Sequence, residues 1–97
     1  MRLRFEYDPV KSELNRQRHG IDFGKAQQLW GSNYFVFPAA DVAAEQRYIA
    51  LGEIAGKIFL AVFTQRGEAI RIITCHRASS RWERVYELYR KEKRNQT

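Results

Sequence analysis

The chain has 97 residues, 44% of them hydrophobic, and a net charge of +6. That length makes one small domain, 1–97, with a single core and no room for a cofactor lobe or a deep cleft between lobes. One cysteine excludes an internal disulfide framework. No run approaches the ~20 apolar residues of a membrane span.

The opening "MRLRFEYDP" carries no apolar signal core, so the expected location is the cytoplasm. The charge is uneven: residues 1–65 hold eight Lys/Arg against seven Asp/Glu, and residues 66–97 hold nine against four. A basic surface gathered in the C-terminal third points to a polyanion or an acidic protein as partner.

In chain order, "LRFEY" (3–7) alternates apolar and polar residues and predicts a first strand. Asp8 then caps a helix over 9–19, with Pro9 at its first position and Gly20 just past its end. Asp22 caps a second helix over about 23–30, whose stripe is Phe23, Ala26, Leu29 and Trp30, stopped by Gly31. "NYFVFP" is a short strand or extended edge, and "AADVAAEQ" is a loop with room for a helical turn. Three β-branched and aromatic runs follow, 46–54, 57–65 and 68–76, joined by "AG" and "RG". Links of two residues make these an antiparallel meander.

The chain ends in a helix. Ser80 and Glu83 have capping-box spacing, and Trp82, Val85, Tyr86 and Tyr89 form one apolar face. Residues 91–97 are a polar, basic tail expected to fray. The expected fold is α+β: a small antiparallel sheet, made of the three-strand meander plus the N-terminal strand, with two N-terminal helices and one C-terminal helix.

Little in the chain suits metal or cofactor chemistry, and none is expected. His19, Cys75 and His76 lack metal-ligand spacing. Cys75 and His76 are neighbours on a strand, so they point to opposite faces and cannot form a nucleophile–base pair. No Gly-rich phosphate loop is present.

Arginine and histidine remain. Arg66 lies in a hairpin turn, Arg71 inside the last strand, His76 and Arg77 at its end, and Arg81 and Arg84 at the start of the final helix. Arginine grips phosphate through a planar fork, and histidine both takes and gives a proton near neutrality. Such a set suits RNA cleavage, in which the 2′-OH is the nucleophile. The catalytic candidates are therefore Arg66 and Arg77 as phosphate clamps, His76 as general acid or base, and Tyr86 as a proton donor or stacking residue. Lys11, His19, Arg71, Arg81 and Arg84 are candidates for binding the RNA backbone. Core packing is the alternative for Tyr86, and helix capping is the alternative for His19 and Glu83.

"FEYDPVKSELNRQRHGIDF" (5–23) resembles the opening of the BrnT family through Phe5, Glu6, Tyr7, Asp8, Lys11, Asn15, Arg18, His19, Gly20, Ile21 and Phe23. "EQRYIALGEIAGKIFLAVFTQR" and "IRIITCHRAS" continue the resemblance. That family usually has Arg where this chain has His76, Ala where it has Cys75, and an acidic residue where it has Trp82. The resemblance implies a RelE-like fold and a growth-arresting endoribonuclease of a type II toxin–antitoxin pair. It also implies a BrnA-type antitoxin with a ribbon-helix-helix part, the complex binding its own promoter DNA. A reading of another class is a binding module that engages nucleic acid or antitoxin through the same face without cleaving.

Overall fold

The computed structural model describes residues 3–41 and 44–95. In chain order the elements are β1 (Arg4–Glu6), α1 (Pro9–His19), α2 (Phe23–Ala26) with a following 3₁₀ turn (Gln27–Gly31), β2 (Phe35–Pro38), β3 (Arg47–Ile54), β4 (Lys57–Arg66), β5 (Ala69–Arg77) and α3 (Ser80–Asn95). The five strands form one sheet in the order β1-β5-β4-β3-β2.

The fold is α+β, and the β3-β4-β5 meander forms the middle of the sheet. Two expectations about the sheet are corrected. It has five strands, because "FVFP" pairs antiparallel with β3 as an edge strand. It is also mixed rather than antiparallel, because β1 runs parallel to β5. Local alternation marks a strand but says nothing about the direction of a partner more than 60 residues away in the chain.

α1 starts and stops where the sequence places it. The Asp8 carboxylate accepts from the Val10 N–H at 2.9 Å, and Gly20 closes the helix in the left-handed region. The second helix is shorter than expected. After Ala26 the chain tightens into the 3₁₀ turn, and the Ser32 hydroxyl donates to the Leu29 carbonyl at 2.7 Å while accepting from the Glu53 N–H at 3.0 Å. That bridge pins the turn to β3.

The cap of α3 is displaced by one residue. Ala78, just past β5, is still held against β4, its N–H donating to the Ile58 carbonyl at 2.9 Å. Ser79 therefore caps the helix, its hydroxyl accepting from the Trp82 N–H at 3.4 Å, and the Ser80–Glu83 capping box is not formed. α3 continues through 91–95, a stretch expected to fray; residues 96 and 97 of that expected tail lie outside the described residues. The expected loop at 39–46 is described except for residues 42 and 43.

The sheet carries a core on each face. Ile21, Phe23, Ala26, Leu29 and Trp30 pack on Ala50, Ile54, Ala61, Phe63, Ile70, Ile72 and Cys75. On the other face α3 brings Tyr86, Trp82 and Val85 onto Leu51 and Leu60. Each large side chain buried in this way contributes about 1.5–3 kcal/mol. Gly52 has no room to spare, since a Cβ there would sit 2.8 Å from Leu29 Cγ and 2.9 Å from Ser32 Oγ. Gly52→Ala is expected to lower stability by about 1–3 kcal/mol through overpacking, read as a lower urea midpoint.

Candidate active site

β5 is the scaffold of the site. β1 pairs with β5 only over Ala69–Arg71, which leaves the later part of that edge without a strand neighbour. The Asn15 side chain of α1 takes its place. Its Nδ2 donates to the carbonyls of Cys75 at 2.7 Å and Ile21 at 2.8 Å. Its Oδ1 accepts from the Cys75 N–H at 3.3 Å and the Thr74 hydroxyl at 3.1 Å. A single amide thus satisfies the edge groups that a further strand would have satisfied. It also ties the end of α1 to the end of β5.

That tie brings the two histidines together. His19 closes α1, and its ring centroid lies 5.4 Å from that of His76. His76 Nδ1 is 2.8 Å from the Arg77 carbonyl oxygen. A carbonyl only accepts, so Nδ1 is the donor, and it is the neutral form of the ring that presents a lone pair at Nε2. Lys11, Arg18 and His19 border one depression with Asn15 and Thr74 beside this pair. Lys11, Asn15, Arg18 and His19 share one face of α1, at the i, i+4, i+7, i+8 spacing.

Arg71 and His76 are five residues apart, which in a regular strand would place them on opposite faces. A bulge at Val62/Phe63 changes the count: Arg71 stands opposite Thr64 and His76 opposite Leu60. The extra residue on β5 restores both side chains to one face.

The predicted catalytic set does not converge. Arg66 stands opposite Ala69, whereas Arg77 stands opposite Phe59. Seven residues of β4 separate the two positions, about 23 Å, so the expectation that Arg66 and Arg77 clamp one phosphate is corrected. Arg66 instead pairs with Glu45 at 3.3 Å. Arg77 points to the face opposite His76, with its guanidinium 5.9 Å from the Phe59 ring centroid and 4.0 Å from Glu83. Arg71 pairs with Glu6 at 3.6 Å. Arg81 and Arg84 are exposed on the first turns of α3, and Arg84 borders an outer groove that the histidines do not line.

Cys75 is fully buried, and that burial pushes its thiol up to about 12. It is a core residue and no nucleophile. Among the described residues, no three of His, Cys, Asp and Glu group as a metal site.

A family model described as the ribonuclease toxin BrnT of type II toxin–antitoxin systems matches residues 7–81. The chain belongs to the BrnT family. Membership implies RNA as substrate and an antitoxin as partner. The BrnT match takes in Asn15, His19, strands β2 to β5 and His76, and it ends in the first turn of α3. A comparison with curated protein sequences returns no match. No helix among the described residues is long and apolar enough to cross a membrane.

Tyr86 lies beyond the BrnT match and is 1% exposed. Its O–H donates to the Asn33 carbonyl at 2.8 Å and its ring packs on Phe35. Burial, followed by the Glu53 charge, pushes the phenol up. The expectation of a proton donor is therefore corrected to a core residue that holds α3. Tyr86→Phe is expected to leave RNA cleavage unchanged and to cost about 1 kcal/mol in a urea melt.

Sequence reasoning missed the roles of Asn15 and Thr64, which it met only as letters of the BrnT resemblance, and missed Arg47 altogether. Arg47 carries a signal in hindsight, as a cation at the start of a meander strand. Its position follows only from strand register.

Proposed function

We propose that the chain is a metal-independent endoribonuclease whose proton transfers run through His19 and His76. The observation that carries this reading is the approach of the chain's only two histidines to 5.4 Å, at the end of β5 and beside Lys11 and Arg18 of α1, which have no carboxylate partner among the described residues. RNA supplies the 2′-OH. His76 Nε2 takes its proton as the oxygen attacks phosphorus, and protonated His19 gives a proton to the departing 5′ oxygen. The P–O5′ bond breaks, leaving a 2′,3′-cyclic phosphate and a 5′-hydroxyl. Arg18, which borders the same depression as His19, neutralises the charge on the non-bridging oxygens. Each proton transfer is worth about 10²–10⁴-fold in rate.

The same reading gives the chain a RelE-like fold, a single domain over 1–97 and a place in the cytoplasm. Its partner is a BrnA-type antitoxin with a ribbon-helix-helix part, whose acidic segment covers the basic face. The joint complex binds promoter DNA.

Tightly induced expression in a bacterial host tests the reaction. Growth arrest with new RNA 5′ ends is the expected result. Normal growth with intact RNA, from a folded and abundant protein, would overturn it in favour of the binding module.

A further inference from the structure

We propose that Lys11, Arg47, Arg66 and Arg71 form a second phosphate subsite, which holds an RNA phosphodiester away from the one being cut. This rests on the ribonuclease reading and extends it along the strand.

Strand register builds the subsite. Arg47 stands opposite Thr64, Thr64 opposite Arg71, and Arg71 opposite Glu6. This row crosses four strands on one face of the sheet. Thr64 is its floor, 2% exposed, with its hydroxyl donating to the Gln46 carbonyl at 2.9 Å. Arg66 lies two residues further along β4 on the same face. Lys11 of α1 borders the same depression from the other side.

The four cations are not equivalent. Glu45 holds Arg66 and Glu6 holds Arg71. Among the described residues Arg47 and Lys11 have no carboxylate partner, and the buried Arg47 Nε makes no hydrogen bond. A buried donor without an acceptor is uncommon enough in folded proteins to need a reason. An anion that draws the guanidinium toward it supplies one.

The charge balance narrows the ligand. Four cations meet three carboxylates, Glu6, Glu45 and Asp8, so the surplus matches one monoanionic phosphodiester better than a dianion. Position narrows it further. The arginine row and the His76 row are four β4 residues apart, about 13 Å, and Lys11 borders both depressions. One single strand laid along β5 therefore reaches both.

The test is binding of a fully 2′-deoxy oligonucleotide, which has no nucleophile, to the full chain over a range of salt. Arg47→Gln and Lys11→Gln should each weaken binding and flatten the slope of log K against log salt by about 0.7, the value for one phosphate contact to a single strand. Lys91→Gln, on the outer groove of α3, should leave the slope unchanged. A methylphosphonate scanned along the strand should reproduce the loss at one position in the wild type and add nothing at that position in Arg47→Gln. An unchanged slope in both variants, or a loss independent of position, would overturn the subsite. Affinity carries the readout, so a wild type that binds with these slopes but never cuts RNA sinks the reaction and leaves the subsite standing. If only an acidic peptide, and no oligonucleotide, responds to these variants, the depression is a protein-docking site and the subsite fails.

Discussion

His76→Ala is expected to lower RNA cleavage by about 10²–10⁴-fold, with little change in stability. The ring is partly exposed, and among the described residues its one hydrogen bond is to the neighbouring Arg77 carbonyl. Removing it empties no core. His19→Ala should cost a similar factor, since the paired ring supplies the other proton transfer. Arg77→Ala should cost much less, because its guanidinium lies over Phe59 on the other face. Cleavage rates of purified variants with matching circular dichroism decide this. If Arg77→Ala is the severe variant and His76→Ala cuts like the wild type, the histidine pair is not the site of proton transfer.

The largest stability effect is expected at Asn15. It is 5% exposed, and its amide engages four partners on β5 and the loop after α1. Truncation to Ala would leave the Cys75 N–H and the carbonyls of Cys75 and Ile21 buried without these partners. Each such group costs about 1–3 kcal/mol, so Asn15→Ala should lose about 3 kcal/mol or more in urea denaturation. Asn15→Asp should be no better. It keeps the acceptor but sets a carboxylate against two carbonyl oxygens in place of a donor. Residual cleavage should fall further than the folded fraction, because the same amide positions His19 against His76. A loss below about 0.5 kcal/mol, the level of an ordinary surface change, would show that the edge of β5 needs no such cover.

The parts of the fold legible in the sequence were those fixed by neighbours in the chain. Asp8, Pro9 and Gly20 set both ends of α1, and two short links set the meander. What failed depends on distant partners. The direction of β1 follows from where β5 lies, and the cap of α3 moved to Ser79 because Ala78 is held by Ile58. The catalytic set failed for a related reason. Arg66 and Arg77 flank one strand and are close in the sequence, yet a strand is long, and its two ends cannot share a phosphate. Tyr86 had two readings on the helix stripe, and burial with the Asn33 hydrogen bond favours packing. The bulge is invisible to alternation, so the common face of Arg71 and His76 could not be counted from the sequence. The histidine pair needed Asn15, 60 residues from its partner Cys75, to bring α1 against β5.

The most direct measurement is end-group analysis of RNA cut by the purified chain in the presence of a strong chelator, beside His19→Ala and His76→Ala. Proton transfer by the histidine pair requires 2′,3′-cyclic phosphate and 5′-hydroxyl ends from the wild type, full activity in chelator, and protection by a single 2′-deoxy substitution at the cut site. Both variants should be nearly inactive. Cleavage that leaves 5′-phosphate ends, survives the 2′-deoxy substitution or persists in both variants would contradict it.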